Sequence, residues 1–293
     1  DALTHAATTF SSTEITKSAN VTINSTNSDS NQVNNSLTSL KVDNAETQTI
    51  SLVGNANAGL VVGNINTASA AVSSLTFSTA ANTASTIGTM VTATGLQTLD
   101  YSVTGGNTSN SSSLGAGTVG TTTAAQLSSF NASVTGNGSS ISVDSIDSAS
   151  STALTSVTLA ANSANSTINV ATTQANDVFD FGTATIGTLN ITVADNATFN
   201  LDNAGATATI TSGAITTANL TLGNYATWQD LGANSNDDLS ISGAVTTANV
   251  SIGRDVVNVA NDEIFFAGAV TTLNLTTTLD NEDIDWDSNN ILS

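Results

Sequence analysis

The sequence predicts an all-β protein, a parallel β-helix (β-solenoid) of about nine irregular coils of roughly 29 residues. Three observations carry this reading. A short template recurs along the chain. The composition is rich in Ser, Thr, Asn, Ala and Gly, with 9% charged and 4% aromatic residues. Proline is absent.

The template reads Φ-x-[Ser/Thr]-Φ-x-Φ, where Φ is apolar. Its clearest copies are Ile215-Thr216-Thr217-Ala218-Asn219-Leu220, Val245-Thr246-Thr247-Ala248-Asn249-Val250 and Val270-Thr271-Thr272-Leu273-Asn274-Leu275. Earlier copies start at Leu37, Val72, Leu96, Leu127, Leu154 and Ile186. The eight steps between starts run from 24 to 35 residues. Self-similarity at this period marks a repeat architecture. Alternation of apolar and polar residues is the strand signal. Further strands are expected at Val178-Phe179-Asp180-Phe181, Ala208-Thr209-Ile210-Thr211, Leu239-Ser240-Ile241 and Ile264-Phe265-Phe266, each followed by a corner glycine. A third segment completes the coil, as in Ala197-Thr198-Phe199-Asn200-Leu201 and Thr227-Trp228-Gln229-Asp230-Leu231.

Composition supports the same fold. Much of the 39% hydrophobic content is Ala, so a thick globular core would be hard to build. A solenoid needs only a narrow apolar file, buried by stacking each coil on the next. Periodic Val, Ile and Thr argue for strands over disorder. Missing Pro suits strands that are nearly all interior, because Pro donates nothing to a ladder. Equivalent positions then lie above one another. Asn190, Asn219, Asn249 and Asn274 are expected to form an axial ladder of amides, with Thr217, Thr247 and Thr272 beside them.

Residues 1–35 are polar and weakly patterned, and read as an N-terminal leader or cap. Residues 36–293 form the solenoid. The chain begins at Asp1, as a processed product or fragment would, and the solenoid is expected to continue beyond Ser293.

The formal net charge is −20, with Lys17, Lys41 and Arg254 the only Lys and Arg. Nucleic acid is excluded as a partner, since no basic footprint exists. No apolar run is long enough for a membrane span. Partners that suit this charge are cations, neutral glycans, or other copies joined through metal ions. With no Cys, the chain has no disulfide, thiolate site or cysteine nucleophile.

Carboxylates are the main candidates for chemistry. Asp177, Asp237, Asp238 and Asp262 lie beside Asn at corners that precede the template. Asp280, Glu282, Asp283, Asp285 and Asp287 crowd the C-terminal stretch. Hard oxygen donors in loops suit calcium. The same residues also shape corners as Asx turns. Neither an EF-hand loop nor a Gly-Gly-x-Gly-x-Asp nonapeptide is present. The single His5 lies in the leader, so no Ser-His-Asp arrangement is expected, and the chain is read as a non-enzyme. An ice- or glycan-binding solenoid would need regular outward Thr-x-Thr rows. The mid-template column opposes this, being mixed at Lys41, Thr76, Asp100 and Asn131.

The core Thr272-Leu273-Asn274-Leu275-Thr276, with Thr188-Leu189-Asn190-Ile191-Thr192, resembles β-solenoid regions of Gram-negative bacterial surface-layer (S-layer) proteins and related type I-secreted proteins. The resemblance covers about residues 37–293. It implies an extracellular structural protein that self-assembles into a cell-surface lattice or filament, depends on calcium and is exported without disulfides. Cell-surface polysaccharide is a further expected partner. The competing expectation is an adhesin or passenger stalk that presents a binding region away from the cell.

Overall fold

In the computed structural model the described residues are 9–10, 13–15, 20–26, 33–42, 49–55, 58–66, 72–80, 84–92, 96–105, 113–116, 119–120, 127–143, 146–147, 153–170, 179–201, 208–230, 239–259 and 264–278. They form a parallel β-solenoid. Its first wall is a ladder of ten strands: Asn20–Thr26, Thr49–Asn55, Ser74–Ala80, Thr98–Thr104, Ser129–Thr135, Ala153–Ala161, Thr185–Val193, Ala214–Leu222, Ala244–Ile252 and Val270–Thr277. Every consecutive pair is parallel.

Register gives the coil length directly. Val21 lies under Ile50, and the file runs on through Leu75, Leu99, Phe130, Val157, Leu189, Ala218 and Ala248 to Leu273. From 21 to 273 is 252 residues in nine steps, or 28 per coil. The last five turns, from Ser129–Thr135 to Val270–Thr277, have a second wall of short strands. It includes Ser140–Val143, Thr167–Val170, Thr198–Leu201 and Thr227–Asp230. A third wall holds Phe179–Asp180, Ala208–Thr211, Leu239–Ile241 and Ile264–Phe266, at the positions the corner glycines announce. In the early coils one long strand replaces the last two, as in Val33–Val42, Ala58–Asn66 and Ala84–Thr92.

This changes the first template copy. Leu37 pairs with Val62 and Lys41 with Asn66, so this copy belongs to the long-strand wall. The first-wall strands before Val72 are Thr49–Asn55 and Asn20–Thr26. The template misleads there because both walls bury alternate residues against one core. Leu37 and Leu40 are as buried as first-wall residues. The coil count therefore differs slightly from nine, and strands within residues 1–35 are paired into the stack.

The core is one continuous cluster of stacked side chains. Leu99, Phe130, Val157, Leu189 and Ile191 are almost wholly buried. Aromatic rings meet in the interior, in register at Phe199 and Trp228 and diagonally at Tyr101 and Phe130. Phe199 lies flat on Trp228 at 4.3 Å between centroids, and Tyr101 meets Phe130 edge to face at 6.2 Å. Such pairs add to the burial of their area.

One corner links the first wall to the second in the same way in each of five coils. Its bonds run from Ser139 N–H to Gly136 O, and likewise for Ser166 and Ser163, Ala197 and Ala194, and Ala226 and Gly223. Positive φ falls at the third corner residue: Gly138 (74°), Asn165 (55°), Asn196 (57°), Tyr225 (56°) and Asp255 (50°). Positive φ at the third position alone is the type II turn pattern, which favours Gly and Asn. At a different corner Gly213 is required by contact. A Cβ there would sit 2.3 Å from the Thr183 carbonyl oxygen of the coil below.

Tyr101 is fully buried, and among the described residues its hydroxyl has no partner. Burial raises its phenol well above the ordinary tyrosine value, because the phenolate would be desolvated. The folded state therefore favours the neutral form. That contribution is intact below the unfolded-state pKa of about 10 and is lost as pH rises above it. Tyr101→Phe keeps the packing and removes the unpaired hydroxyl. It should be more stable by about 1 kcal/mol at neutral pH and should lose less stability in alkali, as read by urea melts at neutral and alkaline pH. A markedly less stable variant would mean that the hydroxyl is satisfied.

Candidate functional site

The broadest regular surface is the outward side of the first wall. Strand geometry alternates side chains, so the residues between core positions face solvent. Three outward columns result. The first reads Asn20, Thr49, Ser74, Thr98, Ser129, Ser156, Thr188, Thr217, Thr247 and Thr272. The middle column reads Thr22, Ser51, Thr76, Asp100, Asn131, Thr158, Asn190, Asn219, Asn249 and Asn274. The third reads Asn24, Val53, Ser78, Ser102, Ser133, Ala160, Thr192, Thr221, Ser251 and Thr276. Lys41 is not among them. Asp100 is the one charged residue in these three columns.

The middle column is hydrogen-bonded along the axis. Asn274 Nδ2 donates to Asn249 Oδ1, Asn249 to Asn219, and Asn219 to Asn190, each at 2.8 Å. Asn190 continues to Thr158 Oγ1 at 3.4 Å, and Asn131 donates to Asp100 Oδ1 at 2.7 Å. Asn190, Asn219 and Asn249 thus each commit one N–H and the amide oxygen to neighbours in the column. The second N–H of Asn131 reaches Ser133 Oγ at 3.2 Å. Among the described residues the second N–H of Asn219 or Asn249 has no partner, so it is available to a ligand.

A second amide ladder runs up the second wall and was not foreseen. Gln229 Nε2 donates to Asn200 Oδ1 at 2.8 Å, Asn200 to Asn169 at 2.6 Å, and Asn169 to Ser142 Oγ at 3.0 Å. Its signal is present in the sequence as Asn169, Asn200 and Gln229, at steps of 31 and 29 residues. The change from Asn to Gln hides it.

The corner column carries the described charges nearest this wall. Asp195 accepts from the Asn224 backbone at 2.8 Å and from its amide at 3.3 Å. The Arg254 guanidinium lies 5.2 Å from the centre of the Tyr225 ring. Asp180 accepts from the Gly182 N–H at 2.7 Å, an Asx turn. Glu14 pairs with Lys41 at 2.7 Å, both side chains being about half exposed.

The nine residues proposed as calcium ligands (Asp177, Asp237, Asp238, Asp262, Asp280, Glu282, Asp283, Asp285 and Asp287) lie outside the described residues, as does His5. Among the described residues no group of three or more His, Cys, Asp or Glu is placed to hold a metal ion. No helix among them is long and apolar enough to cross a membrane. Comparison with family models, with curated proteins and with solved structures finds no match.

The ladder generates a graded test. Asn219 has two axial amide partners and Asn274 has one. Asn219→Ala should cost about 1–2 kcal/mol and Asn274→Ala about half as much, measured by urea unfolding. Equal costs, or none at Asn219, would contradict a ladder that contributes to stability.

Proposed function

We propose that this chain is an extracellular structural protein that self-assembles into a cell-surface layer, with calcium bridging acidic corners of neighbouring copies. The observation that carries the reading is the uninterrupted stack of ten parallel strands in register. Nine steps at about 4.8 Å make a rod roughly 43 Å long. In the later coils amides form axial ladders, and apolar residues along the stack fill one continuous core. That is the economy of a scaffold.

Charge supports the calcium element. At −20, copies repel at close approach unless cations lie between them. The acids at 177, 237, 238, 262 and in 280–287 supply hard oxygen donors suited to that ion. The S-layer resemblance of the template points the same way, and cell-surface polysaccharide is the natural anchor for such a layer. The assembled protein acts by position and carries no catalysis.

Electron microscopy of the purified protein, with roughly millimolar calcium and with chelator, tests this. Ordered sheets or filaments that dissolve in chelator are the expected outcome. A persistent monomer in calcium would overturn the layer and favour an adhesin stalk.

A further inference from the structure

The outward face of the first wall is nearly uncharged. Its three columns hold a single carboxylate among thirty positions, Asp100. From Ser129–Thr135 to Val270–Thr277 those columns contain only Ser, Thr, Asn and Ala. Charge returns at the adjoining corner, at Asp195, Arg254 and Asp255, all exposed. Like charges stacked one above another oppose each other, so register itself favours a neutral wall, and such a wall suits a neutral partner. A neutral surface meets a neutral ligand without desolvating an ion.

The array also has a lattice. Equivalent groups repeat about every 4.8 Å along the axis, and neighbouring columns lie about 6.6 Å apart. Thr216, Thr246, Thr221 and Ser251 are exposed, and their hydroxyls both donate and accept. Between them stand the uncommitted N–H groups of Asn219 and Asn249. Five turns of this wall, nine residues wide, cover on the order of 700 Å², close to one side of a standard interface. No aromatic platform lies in these columns, so a single sugar has little to hold it. Many identical weak contacts favour an extended ligand.

We propose that the outward face of the first wall binds a neutral, extended polyhydroxyl polymer, a glycan chain or its ordered surface. Asn190, Asn219 and Asn249 donate to sugar oxygens, and Thr188, Thr217 and Thr247 exchange hydroxyl hydrogen bonds with it. This deepens the polysaccharide element of the proposed function and rests on its extracellular placement. Of the four residues that make the mid-template column mixed, Lys41 lies on the other wall, while Thr76, Asp100 and Asn131 stay in the column.

The test is co-sedimentation of the purified chain with microcrystalline cellulose and with chitin, in chelator, so that assembly plays no part. Saturable binding to at least one, unchanged between low and high salt, is expected. Thr217→Glu with Thr247→Glu should weaken it about tenfold or more. Asn162→Glu with Ala164→Glu places the same charge at an exposed corner and should leave it intact. Circular dichroism must show both variants folded. If the face pair unfolds, Thr217→Val with Thr247→Val replaces it, with a smaller loss expected. No binding to either polymer, equal loss in both charged variants, or loss of binding in salt would each overturn the proposal. A concentration-dependent dimer broken only by the face variants would assign this face to a second copy instead. Binding without ordered sheets in calcium would sink the layer and keep this inference, and sheets without binding would do the reverse.

Discussion

Parallel stacking in register is the constraint on which the rest of this molecule depends. Each residue of the first wall sits about 4.8 Å above its equivalent in the preceding coil. A side chain must therefore be acceptable to a near copy of itself. Large apolar residues meet that condition by filling the interior, as Ile50, Leu75, Leu99, Phe130, Val157 and Leu189 do one above another. Asn meets it because one amide carries both a donor and an acceptor along the axis, as in the 2.8 Å bonds through Asn219. Carboxylates meet it beside an amide or a backbone donor: Asp100 accepts from Asn131 and Asp195 from Asn224, each one coil on, and Asp180 accepts from the Gly182 N–H.

The same constraint governs backbone geometry. The corner after the first wall needs positive φ at its third residue in five successive coils. Gly, Asn and Asp supply this at small cost. Tyr225 is the exception, and its ring is exposed and covered on one side by Arg254. Once the corner is fixed, the short second wall starts in the same place in each coil. The Phe199 and Trp228 rings then stack face to face.

From Val72 onward the sequence was a reliable guide, because wall, core and corner repeat there with similar residues. The steps at Val72, Leu96, Leu127, Leu154, Ile186, Ile215, Val245 and Val270 are those of the observed register. The Asn ladder was legible for the same reason. The early coils were harder. There one long strand does the work of two, and Leu37 to Val42 carries the pattern of either wall. The uncharged face was illegible until register was known, because a column is a property of stacking and not of neighbours in sequence. Lys41 leaves that column because it belongs to the long-strand wall. The candidate calcium ligands were chosen by chemistry alone and fall outside the described residues.

The central claim is that seven axial steps separate Ser74 from Thr272 on one straight wall. The chain has no Cys, so two introduced ones, Ser74→Cys and Thr272→Cys, carry spin labels without interference. Pulsed dipolar spectroscopy should give one narrow distance near seven rungs, about 34 Å. A broad distribution, or a narrow one well under 25 Å (about five rungs), would contradict the solenoid register on which the face, the ladders and the proposed partner all rest.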